Sequence, residues 1–404
     1  MYVKMKTFLL LSVLSMYSLL IIGQTNTENK WRFVSMPDFL NVDTDFPQKG
    51  WEETLSFVLE SVKDENPDFL VVPGDLVMGH WHGEKDRPGE KGIHYFADRY
   101  YTAWKARMNA HGLKYYTAIG DHELGDNPWA YDGALKNVEA YKEEFKNHMK
   151  MPLNGPDHMK GTAFYWRHKN VLFISVDVFE EGESSQGRIK SGVTGKQLEW
   201  LERVMKENSD VDHIIVMGHD PVLGPVRKWS SSGMMVEEGR ESQFWQTMAK
   251  YNVVLYLCGE VHAITCTERD GIQQVAHGGL FGYNPRVNYM VIDVFPDKLE
   301  LTIKELDIIP EGDFLWQAGT NRPLEKISID PEVKEKGYIP VGTLTIETSG
   351  SQHEFKNGKG YFLKKYETST ERGRPVFKKH KGYLLKKPEK SDYPPLKRIT
   401  LDDK

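Results

Sequence analysis

The chain has 404 residues, of which 39% are hydrophobic and 12% aromatic, with 52 Lys/Arg against 58 Asp/Glu. That is enough apolar material for one large core or two smaller ones, and a net charge of -6 argues against a general nucleic-acid binder. The charge is uneven: residues 351–404 hold fifteen Lys/Arg and seven Asp/Glu, so a body of net charge -14 carries a basic tail of +8.

At the N-terminus Lys4 and Lys6 precede an apolar stretch from Phe8 to Ile22, and Gly23-Gln24 offers a small-residue cleavage point. The stretch is short for a membrane span and reads as an export signal over residues 1–23, with an uncleaved anchor as the alternative. An exported protein permits disulfides, but Cys258 and Cys266 are the only cysteines and are expected to be free in the core.

From Trp31 to about Pro310 short β-branched apolar runs alternate with helical patterns. "WRFVSM" (31–36), "FLVV" (69–72), "LKYYTAI" (113–119), "VLFISV" (171–176), "HIIVM" (213–217) and "VVLYLC" (253–258) read as buried strands. "WEETLSFVLESVKDE" puts Leu55, Val58, Leu59 and Val62 on one helical face. "TGKQLEWLERVM" has the spacing of a capping box at Thr194 and Gln197. After Cys258 the pattern changes to two antiparallel hairpins, the second turning at Pro296-Asp297-Lys298. The expected body spans 24–310. An extension over 311–404 follows, and "KGYFLKK" (359–365) recurs as "KGYLLKK" (381–387), which suggests a small unit of two similar hairpins.

Polar residues cluster where the buried strands stop. Asp38 follows the first, Asp75 the second, and Asp121, His122 and Glu123 the third; His219 follows "HIIVM", and Glu260 and His262 follow "VVLYLC". In α/β sheets the carboxyl ends of strands line the ligand crevice. A glycine before four of these sites lets the backbone turn as the strand ends. Any one pair reads as an ordinary turn. Together, four carboxylates and two imidazoles converging on one mouth would repel unless cations neutralise them, and two divalent ions supply the charge.

The order and spacing of these sites resemble the calcineurin-like metallophosphoesterases, over roughly residues 31–310. The family runs Asp-x-His, Gly-Asp, Gly-Asn-His-Asp/Glu, a later His, then Gly-His-x-His, and "GDHE" and "GHDP" match it in order. For the body the resemblance implies an α/β fold, a two-sheet αββα sandwich; the heptad copies beyond it suggest a small C-terminal β-rich appendage. It implies two divalent metal ions: Asp75 bridging, Asp38 and His262 serving one, Asp121, His219 and Glu260 serving the other, and His122 beside the leaving-group oxygen. Hydrolysis of a phosphomonoester or phosphodiester by a metal-bound hydroxide is the implied activity. Three positions depart: Leu40 stands where the family has His, Asp121 where it has Asn, and Glu260 where it has His. Harder oxygen ligands favour manganese, iron, magnesium or calcium over zinc. Leu40 cannot ligate, so Asn41, Asp43 or a water is the expected substitute; His80 and His82 are further candidates but read as an exposed loop. Glu123 either orients His122 or caps the next turn.

Substrate choice is expected in the loops 79–92, 180–192 and 224–235. Arg188, Arg227 and Lys228 are phosphate contacts or solvated charges. His277 faces the site or is structural, and Trp81 and Trp229 stack on substrate or anchor their loops. The substrate is expected to be a small phosphoester, and the oligomeric state is left open. A second reading is an exported, catalytically impaired module that binds metal or anions, with the basic tail docking onto an anionic surface or polysaccharide.

Overall fold

The structure is a computed structural model that describes residues 30–39, 49–77, 79, 81, 90–125, 129, 132–226, 233–279, 286–311, 326–350, 352–366, 368–371, 374–377 and 399–402. The export stretch, Leu40, Asn41, Asp43, His80, His82, Arg227, Lys228, Trp229 and the second heptad copy (381–387) lie outside the described residues.

The first half alternates strand and helix: β1 (Trp31–Ser35), α1 (Trp51–Asp64), β2 (Leu70–Pro73), α2 (Glu90–Ala110), β3 (Tyr115–Ala118) and α3 (Asp132–Met149). Then come β4 (Phe164–His168), β5 (Val171–Ser175), the hairpin β6 (Phe179–Ser184) and β7 (Gly187–Ser191), α4 (Gly195–Glu207), β8 (His213–Met217), α5 (Gln243–Lys250) and β9 (Leu255–Cys258). Beyond Cys258 strands dominate: β10 (Thr265–Arg269), β11 (Ile272–Ala276), β12 (Arg286–Val294), β13 (Lys298–Asp307), β14 (Ile309–Glu311) and β15 (Lys326–Ser328). Helix α6 (Pro331–Lys336) precedes β16 (Ile339–Ser349), β17 (Gln352–Gly360), β18 (Thr368–Glu371) and β19 (Arg374–Phe377).

Two sheets form. One has seven strands in the order β17-β16-β13-β12-β1-β2-β3, the other six in the order β10-β11-β9-β8-β5-β4. β1, β2 and β3 run parallel, as do β5, β8 and β9, because helices cross between them. Adjacent residues of β3 show the layering. Tyr116 stacks on Trp166 of β4 at 4.0 Å, across the sandwich, while Tyr115 turns outward onto Trp104 of α2 at 4.7 Å. On the far side Phe244 of α5 packs edge-on against Tyr256 of β9. The order of layers is therefore helix, sheet, sheet, helix, and the strands buried on both faces are the apolar runs of the sequence.

Three local expectations are corrected. Thr194 precedes α4 without capping it; its hydroxyl donates to Glu180 at 2.8 Å, and the buried Gln197 amide pairs instead with both backbone groups of Asp177. The segment 180–192 is the β6–β7 hairpin rather than a loop. Past residue 310 the chain packs onto the body: β16 pairs with β13 and β17 with β16, widening the large sheet. The first heptad copy closes β17 at Gly360 and then coils into a 3-10 turn over Tyr361–Leu363, so it is not a strand. Cys258 and Cys266 are free and buried, as expected.

Candidate metal centre

Strands β1, β2 and β3 of one sheet and β8 and β9 of the other bring their carboxyl ends together. Each runs straight into a turn carrying an acid or a histidine. Asp38, Asp75, Glu260 and His262 have φ of 56°, 55°, 65° and 49°, the left-handed region. For a residue with a Cβ that conformation costs roughly 1–2 kcal/mol and persists only where its surroundings over-determine it. Four such residues at one spot turn their side chains inward instead of along the strands. The preceding glycines make room: a Cβ on Gly120 would lie 2.2 Å from Asp75 Oδ1, and one on Gly259 2.3 Å from Asp38 Oδ1.

The side chains meet. His219 Nε2 lies 3.2 Å from Asp121 Oδ1, 3.4 Å from Asp75 Oδ2 and 3.5 Å from Glu260 Oε2. Donors sharing one octahedral ion with bonds of about 2.1 Å stand about 3 Å apart, so these spacings suit a coordination sphere. His219 Nδ1 donates to the Pro73 carbonyl at 2.9 Å, which fixes the tautomer and leaves Nε2 as the ligating nitrogen. Asp38, Asp75 and His262 form one group with ligand atoms within 4.8 Å of one another; Asp75, Asp121 and His219 form a second. Asp75 belongs to both. The Glu260 N–H donates to Asp38 Oδ1 at 3.2 Å and joins the two strand tips across the sheets.

These residues fit divalent cations on the structure's own terms. Asp38 Oδ2, Asp75 Oδ2 and His219 Nε2 are buried without a hydrogen-bond partner, a state that costs several kcal/mol per ion unless a counter-charge is present. Burial, then repulsion from neighbouring carboxylates, drives Asp38 and Asp75 above the usual carboxylate range, partly offset by His219. Burial would also keep His219 neutral, but the Asp75 charge and the close approach of the Asp121 and Glu260 carboxylates outweigh it and raise its pKa.

His122 sits at the edge of the cluster. Its backbone N–H donates to Asp75 Oδ1 at 3.3 Å and its Nε2 lies 3.8 Å from Asp75 Oδ2. Glu123 takes neither of its two expected roles. Its carboxylate accepts the backbone N–H groups of Asp75, Leu76, Val77 and Gly120 at 2.8–3.3 Å, clamping the turn that carries Asp75 to the turn that carries Asp121. Trp81 is an anchor: it is buried and its indole N–H donates to the His122 carbonyl at 2.7 Å. His277 is structural, bonded to Ser35 Oγ and Asn288 Oδ1, and burial lowers its pKa to about 4. Arg188 is an exposed charge near Glu183. Of the expected loop 224–235, Met234 reaches the site, since its N–H donates to Glu260 Oε1 at 3.3 Å.

All six sequence-derived ligand candidates are therefore gathered in one place. Sequence reasoning missed Asp220, whose side chain is buried beside His219 and Glu260. "GHDP" reads as a turn, and the only signal available was that a second ionisable residue, Asp220, stands next to the ligand His219.

A family model described as calcineurin-like phosphoesterase matches residues 43–263. That range holds Asp75, Asp121, His122, His219, Glu260 and His262; Asp38 lies just before it. No curated protein matches the chain in sequence. Among solved structures, a dimetal phosphatase from Danio rerio is similar at 14% identity and TM-score 0.46, covering 67% of this chain and 95% of its own. GAP50, the anchor in the inner membrane complex of Plasmodium, is similar at 14% identity and TM-score 0.44 over 74% of this chain and 89% of its own. A putative 5'-nucleotidase from Staphylococcus aureus has 14% identity and TM-score 0.41 over 76% of this chain and 58% of its own. These likenesses are loose, and the family match carries the assignment.

Proposed function

Because the chain belongs to the calcineurin-like phosphoesterase family, we propose that it hydrolyses a phosphomonoester or phosphodiester with the help of two divalent cations. The observation that carries this reading is the convergence of Asp38, Asp75, Asp121, His219, Glu260 and His262 from five strand ends into one buried cluster, in which Asp38 Oδ2 and Asp75 Oδ2 have no hydrogen-bond partner. Asp75, shared by both groups, would serve both ions, with Asp38 and His262 holding one and Asp121, His219 and Glu260 the other. A pair of divalent ions held there would polarise the phosphoryl oxygens and supply a strong nucleophile at neutral pH. The predominance of carboxylates supports manganese, iron, magnesium or calcium ahead of zinc.

The chain's own residues do the rest. Glu123 holds the Asp75 and Asp121 turns in register through four backbone N–H groups. The Pro73 carbonyl holds His219 with Nε2 turned into the cluster. His122, oriented by its backbone bond to Asp75, carries an imidazole at the rim, where it protonates the departing alkoxide as a general acid. The apolar stretch ahead of residue 24 supports export, and the positive tail supports contact with an anionic surface.

The test is hydrolysis of a chromogenic phosphomonoester and a phosphodiester by the full chain after metal reconstitution. Activity that rises with manganese and disappears with chelator is expected. A folded, metal-loaded protein that cleaves neither would overturn the enzymatic reading and leave a binding module.

A further inference from the structure

A fifth carboxylate lies against the cluster and none of the roles above uses it. Asp220 is wholly buried, and neither of its carboxylate oxygens has a hydrogen-bond partner. The buried Ser191 hydroxyl stands beside it without a well-directed hydrogen bond. Among the described residues Asp220 has no lysine or arginine partner, unlike Asp177, another buried acid next to a strand end, which pairs with Lys142 at 2.8 Å. Yet the turn that carries Asp220 is held firmly. The Tyr256 hydroxyl donates to the Asp220 carbonyl at 2.7 Å, and the Val222 and Leu223 N–H groups both donate to Gln274 Oε1 at 2.8 Å. The Gln274 amide returns a hydrogen bond to the Leu223 carbonyl at 2.7 Å. A buried carboxylate aimed by so rigid a turn and left without a partner is costly unless a counter-charge completes it.

The direction it is aimed identifies that counter-charge. A carboxylate oxygen of Asp220, one of Glu260 and a ring nitrogen of His219 lie within 4.8 Å of one another. Glu260 is the position where this chain has a carboxylate in place of the family's imidazole, and it adopts a left-handed backbone conformation to point inward. We propose that Asp220 is a further metal ligand, supplying an oxygen to a cation shared with His219 and Glu260. This rests on the metal reading above and deepens it. The resulting sphere is richer in oxygen and more negative than the six expected ligands alone would make it, which favours a hard divalent ion such as manganese.

The test uses the full chain freed of metal by chelator. Manganese affinity and stoichiometry are measured by calorimetry for the parent, for Asp220→Asn and for Ser191→Ala. The expected result is manganese affinity at least about ten-fold weaker in Asp220→Asn, the scale seen when a group supporting a metal site is lost, with Ser191→Ala within two-fold of the parent. Equal affinity and stoichiometry in Asp220→Asn and the parent would overturn the assignment. Should Asp220→Asn fail to fold, a crystal of the parent grown with manganese decides. An Asp220 oxygen bonded to an ion supports the proposal, and a carboxylate beyond about 3.5 Å from every ion overturns it. Failure of the underlying reading looks different: the parent itself then takes up no manganese.

Discussion

The two ends of strand β1 handle acidic side chains in opposite ways. At its start Arg32 forks onto Asp293, with Nε to Oδ1 at 2.7 Å and Nη2 to Oδ2 at 2.9 Å, and also reaches Glu65 at 3.3 Å. Lys30 adds a second cation to Asp293 at 3.1 Å, and Glu65 is completed by Lys304 and by the Tyr289 hydroxyl at 2.8 Å. At its finish Asp38 enters a cluster with Asp75, Asp121, Glu260 and Asp220, where the ion pairs described for Asp38 and Asp75 are with histidine. The same fold thus neutralises carboxylates with its own lysines and arginines at one end of the strand, and among the described residues pairs Asp38 and Asp75 with neither at the other. An acidic cluster maintained in this way, at a cost in backbone strain, is arranged for cations from outside.

The largest effect expected from breaking this contrast is at its bridging acid. Asp75→Asn should lower phosphoester hydrolysis on the order of 10³-fold, since it removes charge from both metal groups at once. Metal content measured on the same protein should fall with it. His122→Ala tests the rim instead of the ligands: turnover should drop about 10²-fold or more while bound metal stays near the parent level. Turnover equal to the parent's would remove His122 from the chemistry.

At the other end of β1 the expected effects are on stability, not activity. Arg32→Met should destabilise the fold by about 1–2 kcal/mol, read from denaturant unfolding, because Asp293 and Glu65 keep Lys30 and Lys304 and the pair is only partly buried. The hydrolytic rate should not change. The smallest effect is a pH dependence. Burial would raise the Asp293 pKa, but its hydrogen bonds to Arg32 and then Lys30 hold it below the ordinary carboxylate range. A depressed folded-state pKa contributes stability that is full above the unfolded value, near pH ~4, and is lost as pH falls through the folded value. Asp293→Asn should therefore flatten the loss of stability below pH ~4, and an unchanged acid limb would show that the pair does not matter.

The contrast also explains what the sequence made legible. Apolar runs broken by Gly-Asp, Gly-His and Gly-Glu announce buried strands with polar tips, because an acid or imidazole ending a wholly apolar strand has no simpler explanation once it recurs at five places. The strand spans accordingly agree with the runs, HIIVM residue for residue. What stayed hidden depends on side chains finding distant backbone. Thr194 and Gln197 have capping-box spacing, but Gln197 is drawn to Asp177 and Thr194 to Glu180. Glu123 spends its carboxylate on backbone amides 46 to 48 residues away, which no local pattern encodes. Asp220 looked like part of a turn because nothing in "GHDP" reveals that Tyr256 and Gln274 fix the turn from neighbouring strands. Strand β17 was obscured by its exposed alternation with Lys356 and Lys359, which suits the outer edge of a sheet as well as a separate unit.

The central claim is that external divalent cations complete the acidic end of the sandwich. Its most direct test is metal analysis of the folded full chain after incubation with manganese and removal of free ion. The account predicts two ions per chain, with the count falling in Asp75→Asn and unchanged in Arg32→Met. A folded protein that retains no metal would contradict it.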